Sequence, residues 1–154
     1  MTRRELLGAT ALLSACAPKP TAPARPNILF VIADDQSFPH AGAYGDPLAK
    51  TPHFDRLARD GALFTRAYSA CPSCTPSRSA VLTGKPIWQT GEGGVLYGTL
   101  PPSLPVWPLQ LRDAGYHTGF TGKSWSPGDW SAAGRTEHPC GREYNQLRLS
   151  PAPH

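Results

Sequence analysis

The sequence predicts an α/β fold, a mixed and largely parallel sheet flanked by helices. Two observations carry that prediction. Asn27-Ile28-Leu29-Phe30-Val31-Ile32-Ala33 is a continuous apolar run without alternation, the pattern of a strand buried on both faces. Helical spacing followed by a strand-like run then occurs twice, over residues 51–68 and 103–121, and strand alternating with helix is the grammar of an α/β chain. At 40% hydrophobic and 17% charged residues, the 154-residue chain suits one globular domain. Its 18 prolines and 15 glycines predict frequent turns and long loops.

The first sixteen residues read as an address. Arg3 and Arg4 precede a short apolar stretch that ends in small residues before Cys16, the layout of an export signal. The stretch is too short to span a bilayer permanently. Thr2 to Leu7 resembles a twin-arginine export signal, and Leu13-Ser14-Ala15-Cys16 resembles a bacterial lipobox with Cys16 as the lipidated residue. Residues 17–26 (APKPTAPARP) then read as a Pro/Ala tether, with the folded portion of the chain at 27–154. The expected location is the periplasm or cell envelope of a bacterium, with the membrane touched only through that lipid.

The strand at 27–33 ends in Asp34-Asp35. Open α/β sheets place ligands beyond the carboxyl ends of their strands. Two adjacent carboxylates there can share a hard divalent cation, provided the chain turns; on a straight strand they face opposite ways. Thr51 is a candidate N-cap with Pro52 at the first helical position; Phe54, Leu57 and Ala58 follow at helical spacing, and Gly61 is a stop. Residues 62–68 read as a strand. A helix around Leu109 and Leu111 stops at Gly115, and Tyr116 to Thr121 read as a short strand delivering Lys123. Residues 134–154 contain no strand pattern.

Between them lies Cys71-Pro72-Ser73-Cys74-Thr75-Pro76-Ser77-Arg78. Thr75 is the expected N-cap, Pro76 the first helical residue and Gly84 the stop. Cys74 therefore falls at a helix N-terminus, where free N–H groups and the dipole favour an anion. Arg78 lies one turn further and can return to the same place as an anion-pairing fork. A thioredoxin-like Cys71–Cys74 pair is the rival reading. No second C-x-x-C exists to complete a zinc ribbon. A net charge of +4 without a basic run gives no footprint for nucleic acid.

Cys74 to Lys85 (CTPSRSAVLTGK) resembles the first signature of the type I, formylglycine-dependent sulfatases, C-x-P-S-R-x-x-x-L-T-G. Gly115-Tyr116-His117-Thr118 with Gly122-Lys123 resembles their second signature. Pro26 to Asp35 is similar to their opening strand, and Thr51 to Ala58 to their T-P-x-x-D-x-L-A helix. The resemblance implies an alkaline-phosphatase-like fold. It also implies oxidation of Cys74 to Cα-formylglycine by a formylglycine-generating enzyme. The hydrate of that aldehyde would attack sulfur, and its second hydroxyl would expel sulfate. Asp34, Asp35 and the residue at 74 are the implied ligands of Ca²⁺ or Mg²⁺, with Arg78 and Lys123 meeting the sulfate charge. The implied substrate is a sulfated small molecule or glycan; residues 89–101 and 122–128 look similar to the heparan N-sulfatase-like branch.

The family often places a histidine after the Gly-Lys pair, where this chain has Ser124-Trp125-Ser126. Sulfatases are also several times longer, so the chain reads as an N-terminal fragment, inactive alone. The alternatives are a phosphonate or phosphodiester hydrolase of the same superfamily and a truncated, non-catalytic lipoprotein.

Overall fold

The computed structural model describes residues 25–144. The signal-like segment with Cys16 and most of the tether lie outside them. The chain divides into two compact units, Met1–Leu63 and Phe64–His154. No helix among the described residues is long and apolar enough to cross a membrane.

In the first unit, the one α-helix among the described residues is α1 (Pro52–Asp60), with Pro52 in its first turn as expected. Thr51 stands at the N-cap position, but its hydroxyl serves elsewhere. Thr51 Oγ1 accepts the Gly42 N–H and donates to Asp55 Oδ1, each at 2.8 Å. Asp55 Oδ1 also accepts the Ala43 N–H at 2.8 Å. The start of α1 thus holds the short 3-10 turn Gly42–Tyr44. Glycine at 42 leaves room for that carboxylate, since a Cβ would come within 2.5 Å of Asp55 Oδ2 and push the side chain off its bonds. Residues 27–33 do not form the expected strand: they have no ladder partner among the described residues, and Leu29 and Val31 are 88% and 78% exposed. A run that apolar is stable as a strand only between two neighbours, which the described residues do not supply.

The second unit carries the core. Helices α2 (Cys74–Thr83) and α3 (Trp107–Asp113) accompany strands β1 (Gly119–Phe120) and β2 (Arg142–Glu143). The strands pair in parallel, Gly119 opposite Arg142, so a strand does lie in the polar segment where no strand pattern was legible. Residues 62–68 form no strand, contrary to expectation. The largely parallel sheet is therefore represented, among the described residues, by this one pair and a parallel bridge between Thr99 and Asp129. Leu82, Leu100, Val106 and Trp125 form the buried cluster, packed by Leu104, Trp107, Leu109, Trp130 and Cys140. Arg135 braces it from below: its guanidinium donates to the carbonyls of Leu100 (2.8 Å), Pro101 (2.8 Å) and Leu104 (2.5 Å).

Helix α2 begins two residues earlier than expected. Ser73, not Thr75, is the N-cap, which puts Cys74 in the first helical position. Thr75 is fully buried and spends its hydroxyl on the Gly128 N–H at 3.0 Å. That long-range bond outranks local capping. Gly84 stops the helix as expected, at φ 67°, a left-handed conformation that glycine adopts without steric cost.

Candidate functional site

In the second unit the sequence motifs meet at the N-terminus of α2. Cys74 is half-buried in the first turn, where the helix offers free N–H groups. Lys123 Nζ lies 3.1 Å from Cys74 Sγ, although the two are 49 residues apart. An ammonium at that distance, with the helix dipole behind it, favours negative charge at position 74.

Arg78 explains how Lys123 arrives there. Its side chain is 7% exposed, and Nη1 donates to the carbonyl oxygens of Lys123 (2.8 Å) and Ser124 (2.9 Å). One turn of α2 separates Arg78 from Cys74, so the helix that presents Cys74 also clamps the loop that presents Lys123. Sequence reading anticipated Arg78 as an anion fork; its grip on the loop backbone depends on tertiary contact. Trp125, next in the loop, is buried and donates from Nε1 to Ser79 Oγ at 2.8 Å. Ser79 Oγ in turn donates to the Gly93 carbonyl at 2.7 Å. Gly128 completes the attachment, since a Cβ there would meet the Gly98 carbonyl oxygen and the Trp125 ring, both at 2.6 Å.

Sequence reading missed His138. Its Nε2 is 3.0 Å from Ser124 Oγ, and its Nδ1 accepts the Cys140 N–H at 3.0 Å. The ring stacks on Phe120 at 4.2 Å and meets Trp130 edge-on at 5.4 Å. The legible signal was a histidine in an otherwise polar tail, set against the missing histidine after Lys123. His117 bonds the Tyr144 hydroxyl instead, and His40 pairs with Asp46 in the first unit at 3.0 Å.

Burial pushes the His138 pKa down to about 4. The unfolded ring titrates near 6.5, so between the two values the unfolded chain binds more protons. The stability due to neutral His138 is complete above about pH 6.5 and is lost as pH falls towards 4. Protonation would also turn Nδ1 into a donor facing the Cys140 N–H. Denaturant unfolding at neutral pH and near pH 4.5 should therefore show a loss of stability at the lower pH that His138→Gln removes. An unchanged pH slope in the variant would contradict the assignment.

Asp34 and Asp35 stand exposed in the first unit, at a bend. Asp35 has φ 54°, the left-handed region that non-glycine residues adopt uncommonly. The chain thus turns between the two carboxylates instead of running straight. That meets the condition under which adjacent aspartates can face one hard cation, and carboxylate oxygens suit Ca²⁺ or Mg²⁺. Cys71, Cys74 and Cys140 are free thiols, and no disulfide joins any of them.

A family model described as Sulfatase matches residues 26–147. The chain is 40% identical over 144 residues to the steryl-sulfatase of Mus musculus, covering 85% of this chain and 23% of that protein. It is 36% identical to arylsulfatase D of Homo sapiens, over 82% of this chain and 23% of the relative. It is 34% identical to the N-acetylgalactosamine-6-sulfatase of Rattus norvegicus, over 97% of this chain and 29% of the relative. The chain thus spans about a quarter of the length of these relatives. No solved structure matches it. With its motif cysteine, arginine and lysine gathered at one helix end and the family model covering most of its length, the chain belongs to the sulfatase family.

Proposed function

We propose that the intact protein is a sulfuric ester hydrolase that removes sulfate from a sulfated carbohydrate. The observation that carries this reading is the ammonium of Lys123 set 3.1 Å from Cys74 at a helix N-terminus. Fixed positive groups aimed at one reacting centre are what transfer of a sulfuryl group needs, because negative charge spreads over its oxygens.

Cys74 is the precursor of formylglycine, which supplies as its hydrate one hydroxyl to attack sulfur and a second to release sulfate. Asp34, Asp35 and the residue at 74 would hold Ca²⁺ or Mg²⁺, a Lewis acid for the sulfate oxygens. The chain's own residues do the rest. Helix α2 presents residue 74 to solvent with free N–H groups around it. Arg78 keeps Lys123 and Ser124 at a fixed distance from it, and Lys123 neutralises charge on the transferring group. Preorganised in this way, the donors cost no reorganisation when the reaction occurs.

The named relatives act, by their names, on a sterol sulfate and on a sulfated amino sugar. The likeness of residues 89–101 and 122–128 to the heparan N-sulfatase-like branch favours the sugar. The signal-like first sixteen residues support export, with Cys16 as a lipid anchor.

Mass spectrometry of the tryptic peptide Ala67 to Arg78, after expression with a formylglycine-generating enzyme, tests the reading. Loss of sulfur and gain of oxygen at Cys74 is the expected result. Two unmodified cysteines or a Cys71–Cys74 disulfide would overturn it. Faster turnover of phosphonate or phosphodiester analogues than of sulfates would overturn the substrate class alone.

A further inference from the structure

His138 stands against Ser124, in the segment after the Gly-Lys pair where the family often places a histidine, and its hydrogen bonds limit what it can do. A neutral imidazole has one donor and one acceptor nitrogen. Nδ1 accepts the Cys140 N–H at 3.0 Å, so the ring proton resides on Nε2, which donates to Ser124 Oγ at 3.0 Å. A ring ready to take a proton at Nε2 would carry its hydrogen on Nδ1, and two N–H groups would then face each other. Fixed between Phe120 and Trp130, the ring cannot turn away from that conflict without repacking both.

Ser124 Oγ, having accepted from His138, still has its own proton to give. Among the described residues no acceptor for that proton is found. The carbonyl of Ser124 shares the Arg78 clamp with that of Lys123, so the hydroxyl belongs to the same pinned dipeptide as the ammonium at residue 74. We infer that Ser124 donates a hydrogen bond to the sulfuryl oxygens beside Lys123, and that His138 is a positioning residue which orients this hydroxyl and accepts no proton. The inference rests on the sulfatase reading above.

Two measurements on the full chain test it. Two-bond proton–nitrogen NMR reads the His138 tautomer without any need for turnover. Nε2–H from about pH 5.5 to 8 is expected, while an Nδ1–H tautomer, or protonation near the ordinary value, overturns the inference. Kinetics on the matured enzyme form the second arm. Ser124→Ala should lower kcat/KM about 10- to 100-fold. His138→Gln keeps a donor for Ser124 and should stay within about tenfold of wild type, with the acidic limb of the pH profile unmoved. A loss beyond about 1,000-fold with a displaced limb would make His138 a base, and full activity in Ser124→Ala would remove the donor. Wild type without formylglycine or sulfate release would instead count against the sulfatase reading, leaving the tautomer result standing.

Discussion

On the proposed function, replacing Cys74 with alanine in the intact protein is expected to lower sulfate ester turnover by about 10⁴-fold or more, because it removes the side chain from which the proposed nucleophile is made and leaves only binding and electrostatic effects. The substitution is a mild one for the fold. Cys74 is half-buried in the first turn of α2, its sulfur accepts from the Lys123 ammonium, and alanine is a strong helix former. Unfolding of the variant should therefore match wild type while turnover vanishes. Cys71→Ser separates the two readings of the cysteine pair. Cys71 engages Ser69 through its backbone, at 3.3 Å from its N–H and 2.6 Å to its carbonyl, and a serine retains both bonds. It should leave turnover close to wild type. If Cys71→Ser abolishes turnover as fully as Cys74→Ala does, the chemistry belongs to a dithiol, and the formylglycine reading fails.

Trp125→Ala is the largest expected loss of stability, about 3–5 kcal/mol by denaturant unfolding. The ring is 1% exposed and packs with Leu82, Leu100 and Val106, so its removal leaves a cavity at the centre of the second unit. Its indole N–H is also the donor that ties the loop to Ser79, and Ser79 passes the tie on to Gly93. Trp125→Phe restores most of the volume without that donor and should cost only about 1 kcal/mol from the lost bond, with a smaller packing loss added. Because Lys123 lies two residues upstream on the same pinned loop, the alanine variant should lose turnover as well. A Trp125→Ala protein as stable as wild type would show that the loop is held by Arg78 alone.

The helices were legible because their signals are local. Pro52 at the start of α1, and Gly84 and Gly115 as stops, act through backbone torsions and hydrogen bonds within a turn or two. The strands at 27–33 and 62–68 were over-read because apolar content signals burial, whereas a strand exists only when a neighbour supplies its ladder. The Arg142–Glu143 strand was under-read for the converse reason: Gly119 and Phe120 pair with it through backbone groups that carry no side-chain signature. Thr75 was assigned to a cap since caps are short-range, and it went to Gly128 instead.

The sequence by itself determined the family and pointed to the candidate groups, since Cys74, Arg78, Lys123 and the Asp34–Asp35 pair sit in motifs that resemble the family's own, in the same order. Only the tertiary structure decided that Lys123 reaches Cys74, that Arg78 holds it there through two carbonyls, and that His138 stands behind Ser124. Each of these contacts joins residues from separate motifs or loops. Their partners are chosen by packing around Trp125 and by the need to satisfy buried polar groups, and neither leaves a periodic trace along the chain.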